Sequence, residues 1–271
     1  MFAKNLFPAL TSKHKRDTVV CHSKILDCDV EIERGLVKPF LLGKNIHRYQ
    51  PPNIESVVIF PYAIQDGQAE LMPRQFIREN FPLGWKYLSE NKEALEAREH
   101  GRFKEDWHCY GRTQNLCEFE AVKIMTPDIC DGPQMTLDQT GDLYHTTTLY
   151  SFVFKKSVKD DPKYFLGVLN SQVLRYFICV TGTVLRGGYL RFKTEYLRPF
   201  PIPCSVSKNP PTESQKKEIV KLVDQILAAK QRNAEADTTT LEHEIDEHVY
   251  QLYGLTADEV KIIEGAAQCK G

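Results

Sequence analysis

Residues 162–180 constrain the fold more than any other stretch. They carry Phe165, Leu166, Val168, Leu169, Val173, Leu174, Phe177 and Ile178, apolar nearly all the way round a helix. A helix without a polar face has to be covered on every side, so this one is expected at the centre of a domain. Asp161-Pro162 supplies an N-cap and a first-turn proline, and Thr181-Gly182 ends the run.

A second helical region, 212–265, has a different character. Ile219, Val223, Ile226 and Leu227 form one stripe, and Leu241, Ile245, Val249 and Leu252 form another at i, i+4, i+8 and i+11. Thr212 with Gln215, Thr239 with Glu242, and Thr256 with Glu259 fit capping boxes. Two stripes joined by the polar 232–238 linker predict an antiparallel hairpin that packs on the body or on a partner. Pro199, Pro201 and Pro203 stiffen the approach to it.

The rest reads as strands and short helices. Ser56 to Ala63 and Ala69 to Met72 flank Asp66-Gly67, a pair suited to a type I′ turn, so a hairpin is expected there. Residues 74–81 and 84–99 look helical, with a break at Pro82. Residues 119–126 and 143–155 look extended, the latter rich in Thr, Tyr, Phe and Val. The expected class is α+β: a mixed, largely antiparallel sheet, a buried central helix and a C-terminal helical hairpin. Residues 1–204 form the expected recognition domain and 205–271 the helical region.

Composition excludes several classes. The longest apolar runs, such as Val57-Val58-Ile59-Phe60, cannot span a bilayer, and no secretory segment opens the chain. Eight dispersed cysteines without a CxxC pair point to reduced thiols in a cytoplasmic protein and to no metal site. A net charge of −1 argues against a generic polyanion binder. It conceals an asymmetry, however: residues 1–200 carry 27 Lys+Arg against 24 Asp+Glu, and residues 201–271 carry 8 against 12. A local basic face is compatible with that balance.

Three segments carry chemistry suited to nucleic acid. Residues 107–115 bring Trp107, Tyr110, Gly111, Arg112, Gln114 and Asn115 together. Arginine can bond guanine O6 and N7, and Gln or Asn can bond adenine N6 and N7. A flat aromatic beside them could pack on a sugar or base, although Trp and Tyr near a turn also serve as core anchors. The glycine-led turn at Gly43 offers Lys44 and Arg48 for phosphates. Arg186-Gly187-Gly188 offers a loop whose glycines permit close approach to a backbone or groove.

These pieces lie within an ordered series. Leu42-Gly43-Lys44-Asn45-Ile46-His47-Arg48-Tyr49 is followed by Tyr87-Leu88 through Leu95 and Arg98, the Trp-Tyr-Gly-Arg segment, and Lys123-Ile124-Met125-Thr126-Pro127. Leu169-Asn170-Ser171, Arg186-Gly187-Gly188 with Arg191-Phe192, Pro201-Ile202-Pro203 and Leu252-Tyr253-Gly254-Leu255 complete it. From about residue 35 onward the chain resembles the TaqI-like C-terminal specificity domain. That domain is the target-recognition part of adenine-N6 DNA methyltransferases and of fused (type IIG) restriction-modification enzymes. The resemblance implies double-stranded DNA and a methyltransferase catalytic domain or subunit as partners, with S-adenosylmethionine held by the parent enzyme rather than by this chain. Residues shared across a family that reads many sites need not choose the site, so Arg112, Gln114 and Asn115 stand equally as base readers or in framework or phosphate roles.

The catalytic lookalikes are weak. Asn209-Pro210-Pro211-Thr212 has threonine where a base-gripping loop needs an aromatic ring, and it immediately precedes a helix. No glycine-rich cofactor loop is visible. His243 and His248 are five apart, not the four that put two imidazoles on one helix face. Pro127-Asp128 with Asp161-Pro162-Lys163 formally matches a short nuclease pattern. The expectation is therefore no catalytic residue in this chain. Three alternatives remain open: half of a type I restriction specificity subunit, a protein-interaction module docking through its hairpin, and a nuclease using Asp128, Asp161 and Lys163.

Overall fold

The computed structural model describes residues 17–266, which form two compact units. The first comprises the residues up to Phe40 together with Glu55–Glu120. The second comprises Leu41–Ile54 and the residues from Ala121 onward. Cys269 lies outside the described residues.

In the first unit β1 (Thr18–Ser23) and β2 (Cys28–Glu33) pair antiparallel, as do β3 (Val37–Leu41) and β4 (Ser56–Ile59). The strand expected to run unbroken from Ser56 to Ala63 stops before Pro61, whose missing N–H cannot join a ladder. A new strand, β5 (Tyr62–Gln65), then pairs with β6 (Gln68–Leu71). Asp66 and Gly67 join them at φ 49° and 74°, both positive as a type I′ turn requires.

Three helices follow: α1 (Arg74–Asn80), α2 (Pro82–Glu90) and α3 (Lys92–Glu96). Pro82 starts α2 rather than merely ending its predecessor, because the first helical turn needs no N–H from it. The Glu33 carboxylate at the end of β2 accepts the N–H groups of Leu83 and Gly84, both at 2.9 Å, and so satisfies the exposed first turn of α2. Gly84 is required there, since a Cβ would lie 2.3 Å from Leu36 Cδ2. Ile32, Leu36, Ile77, Phe81, Leu88 and Trp107 form the core of this unit.

The second unit holds β7 (Lys123–Pro127), β8 (Ile129–Cys130), β9 (Thr136–Asp138), β10 (Tyr144–His145) and β11 (Leu149–Val153). Strand β7 lies between β11 and β9, antiparallel to both. The single strand expected over 143–155 is interrupted at 146–148, where Thr146 Oγ1 accepts the Thr148 N–H at 3.1 Å and turns the chain.

The apolar 162–180 segment is two helices, α4 (Pro162–Leu169) and α5 (Gln172–Thr181). Asp161 caps α4 as expected, its Oδ1 accepting the Lys163 N–H at 2.8 Å. Ser171 is a second N-cap, its hydroxyl accepting the Leu174 N–H, and this local bond outcompetes a continuous helix. Every residue of α4 from Tyr164 to Leu169 is buried.

After the short β12 (Leu190–Arg191), which pairs with β8, and α6 (Thr194–Leu197) come α7 (Glu213–Arg232), α8 (Thr239–Tyr253) and α9 (Ala257–Gly265). The capping boxes at Thr212 and Thr256 are present. The one placed at Thr239 is not. Thr238 is the residue before the helix, and the Thr239 hydroxyl donates to Asp237 instead. Ile219, Val223 and Ile226 of α7 and Ile245 and Val249 of α8 are buried in one core with α4. Gly167 lets these helices close on α4, since a Cβ there would meet Ile219 Cγ2 at 2.6 Å.

The class is α+β with small, mostly antiparallel sheets. No helix among the described residues is long and apolar enough to cross a membrane. Cys21, Cys28, Cys109, Cys117, Cys130 and Cys204 are free thiols, whereas Cys179 is disulfide-bonded, an exception to the expected reduced set.

Candidate nucleic-acid interface

In the second unit the glycine-led turn is a tight helical turn, Gly43–Asn45, closed by the Asn45 side chain, which accepts the Leu42 N–H at 2.8 Å. The Gly43 N–H donates to Thr148 Oγ1 at 3.2 Å, fixing the turn against the 146–148 loop. Lys44 projects from it and is exposed. Arg48, four residues on, turns inward. Its guanidinium is ion-paired with Glu242 of α8 and donates to the carbonyls of Pro133 and Asn170. A side chain holding three internal acceptors has little left for a phosphate. Of the expected pair of contacts, Arg48 is committed to these internal acceptors.

Arg186-Gly187-Gly188 is the tip of a small hairpin. Val184 bridges Leu190, and the Leu185 N–H donates to the Tyr189 carbonyl at 2.7 Å. Gly187 and Gly188 have φ of 85° and 79°, a left-handed region that a side chain would strain. The tip therefore carries Arg186 exposed, with nothing bulky on the two following residues.

The basic turn and the foot of the hairpin, but not its Arg186 tip, border one cleft of about 700 Å³. Gly43 and Lys44 line it from one segment and Tyr189 from the foot of the hairpin; Asp128, Asp131 and Thr148 contribute from between. Arg191 neutralises Asp128, donating to its carboxylate through Nε at 3.2 Å and through Nη2. The Asp131 carboxylate accepts from Gln134 Nε2 at 2.9 Å. Cys130, also lining the cleft, is no nucleophile: burial pushes its thiol up to about 12. The cleft thus offers one exposed lysine, amide and hydroxyl groups and carboxylate acceptors. Such a set suits a single phosphate contact at Lys44 rather than a run of phosphates.

The 107–115 segment belongs to the first unit. Trp107 is buried, with its ring centroid 5.6 Å from that of Trp85. The Tyr110 hydroxyl donates to the Ile59 carbonyl, and its N–H donates to the Tyr62 hydroxyl at 2.6 Å. Arg98 holds the segment by donating to the carbonyls of Trp107 and Cys109, both at 2.8 Å. The aromatics are core anchors, which removes them as packing surfaces for a base. Arg112, Gln114 and Asn115 follow on the outside, all exposed, with Asn115 at φ 61° starting the next turn.

The nuclease pattern is not assembled. Asp128 is held by Arg191, Asp161 caps α4, and Lys163 Nζ donates to Asp224 at 2.5 Å. Each residue has a structural task, and Asp128, between β7 and β8, lies on a different element from Asp161 and Lys163, which share the first turn of α4.

The model for the TaqI-like C-terminal specificity domain matches residues 38–202. The chain belongs to that family. It is 27% identical over 239 residues to Type II methyltransferase M.PaeR7I of Pseudomonas aeruginosa, covering 88% of this chain and 36% of that protein. It is 33% identical over 141 residues to Type II methyltransferase M.XhoI of Xanthomonas vasicola, covering 52% of this chain and 22% of that protein. The chain thus spans about a third or less of the relatives' length.

Several family pieces of this specificity domain are framework. Lys123 is wholly buried against Asp138, Asn170 clamps the backbone of Met135, and Arg48 ties the basic turn to α8. Sequence reading missed Asp131, Gln134, Thr148 and Tyr189 as lining residues of the cleft. No local signal marks them; only the fold brings them beside Lys44.

Proposed function

We propose that this chain selects the DNA site for an adenine-N6 DNA methyltransferase, or for a fused restriction-modification enzyme, whose catalytic domain and S-adenosylmethionine site lie elsewhere. Methylation requires an adenine to be turned out of the duplex, and the recognition domain fixes which adenine is presented. Lys44 and Arg186 contact phosphates and set register, while Arg112, Gln114 and Asn115 are the candidates for base edges. The recognition surface lies within residues 1–204, and 205–271 form a helical buttress.

The observation that carries this reading is the cleft that Gly43 and Lys44 line together with Tyr189, at the foot of the Arg186 hairpin and far away in sequence. The burial of Ile219, Val223, Ile245 and Val249 argues against the interaction-module alternative, because the hairpin's stripes are already covered. The same burial argues against α7 and α8 serving as a free spacer in a type I specificity subunit.

Fluorescence anisotropy with a labelled duplex tests the phosphate roles. Lys44→Gln and Arg186→Gln should each flatten the slope of log affinity against log salt by about one unit, equally for every sequence. An unchanged slope in Lys44→Gln would remove the cleft from the interface, and one in Arg186→Gln would remove the hairpin tip.

A further inference from the structure

The first unit carries a groove whose two arginines lie outside the sequence motifs. It encloses about 450 Å³ and is lined by Arg74 and Arg78 of α1, Trp85 and Ser89 of α2, Lys92 of α3, and Trp107. Gln75 is its remaining lining residue, so it presents three cations and no carboxylate.

The charge arrangement sets it apart from an ordinary solvated helix face. On the neighbouring helices each lysine has a carboxylate four residues ahead: Lys86 with Glu90 at 3.8 Å and Lys92 with Glu96 at 3.4 Å. Arg74 has Arg78 at that position, and Arg78 has Pro82. Like charges at i, i+4 oppose helix formation. Among the described residues no carboxylate pairs with either guanidinium. Beside them lies Trp85, half-buried, whose ring leans on the buried Trp107 and is therefore held in a fixed orientation. Two unpaired guanidiniums next to a fixed indole match a phosphodiester with its sugar: arginine recognises phosphate oxygens in a bidentate fashion, and an aromatic ring packs on the adjoining apolar surface.

We propose that this groove is a phosphate-backbone site for DNA, with Arg74 and Arg78 on phosphates and Trp85 against the neighbouring sugar. The proposal rests on the target-recognition reading and adds to it a contact in the first unit, independent of the cleft around Lys44. It also assigns a separate task to that unit. The exposed Arg112, Gln114 and Asn115 face the choice of sequence, whereas the groove holds backbone without regard to sequence.

The chain has two tryptophans, and both line this groove, so intrinsic fluorescence reports on it directly. The full chain is titrated with a duplex of mixed sequence between 50 and 200 mM salt. Wild type should show a change in tryptophan emission that tracks binding. Arg74→Gln/Arg78→Gln should lose most of that change and flatten the log–log slope by about two units, so that its deficit against wild type shrinks roughly tenfold across that salt range. Ser89→Glu, which places a carboxylate in the groove while leaving both arginines, should also weaken binding. Both variants should melt at the wild-type temperature, since the altered side chains are exposed. An unchanged slope in the double variant, with binding still lost in Lys44→Gln/Arg186→Gln, overturns the groove and leaves the recognition reading standing. No salt-dependent duplex binding by wild type overturns both. A tryptophan response to polyglutamate without one to duplex reassigns the groove to an acidic peptide and overturns the proposal.

Discussion

The side-chain amide of Asn170 holds the backbone of Met135 on both sides. It accepts the Met135 N–H at 2.9 Å and donates to the Met135 carbonyl at 3.1 Å. Asn170 ends α4, and Met135 immediately precedes β9, so one side chain does the work of a missing strand neighbour. Asn170→Ala would leave the buried Met135 N–H without a partner, while the Met135 carbonyl keeps the Tyr49 N–H at 3.0 Å. The expected cost is about 1–3 kcal/mol for the one orphaned group, read as a lowered midpoint in urea denaturation. A loss below about 0.5 kcal/mol would show that water replaces the clamp.

A second structural bond is the ion pair of Lys123 and Asp138, both of them fully buried. The Asp138 carboxylate also accepts the N–H groups of Gly141 at 2.8 Å and Leu143 at 3.1 Å, which organises the turn after β9. Removing one partner strands the other charge in a dry site. Lys123→Met is expected to cost roughly 3–5 kcal/mol, with Lys123→Met/Asp138→Asn recovering part of it. A double variant no more stable than the single one would place the cost in packing rather than in the stranded charge.

Asp246 gives the chain a pH dependence. Burial pushes its carboxyl up to about 6, against the hydrogen bond from the Gln172 N–H at 2.7 Å and the attraction of Arg48. Because the folded value lies above the ordinary 3.8, this group's contribution to stability is full below about pH 4 and is lost as pH rises through 6. Its size is on the order of 3 kcal/mol. Asp246→Asn keeps the acceptor for Gln172 and removes the titration. Melting curves from pH 4 to 7 should therefore show the variant gaining on wild type as pH rises. Parallel profiles would contradict the assignment.

How much of this was legible in the chain depends on the range of the interaction. The α+β class, the buried α4, the Asp66-Gly67 turn and the caps at Thr212 and Thr256 all rest on neighbours within a few residues, and each was readable. The Ser171 break was not, because the apolar pattern runs straight across it and only a serine hydroxyl decides the matter. Pro82 was read as a stop when its position before Leu83-Gly84 made it a start. The inward turn of Arg48 depends on Glu242, 194 residues further along the chain, and no spacing rule reaches that far. The cleft and the cationic groove are likewise products of tertiary proximity. Trp107 and Tyr110 show the converse case: the residue types suited to bases were the ones the core needed.

Sequence-selective binding of duplex DNA is the central claim, and selection from a randomised duplex pool tests it most directly. The chain is immobilised at low salt, and bound duplexes are amplified and sequenced over several rounds. A single shared motif should emerge. Arg112→Ala and Gln114→Ala should relax it at particular positions, at a cost of roughly 1–3 kcal/mol on the preferred site and little elsewhere. Retained duplexes without any common motif, or equal losses on all sequences in both variants, would contradict the account.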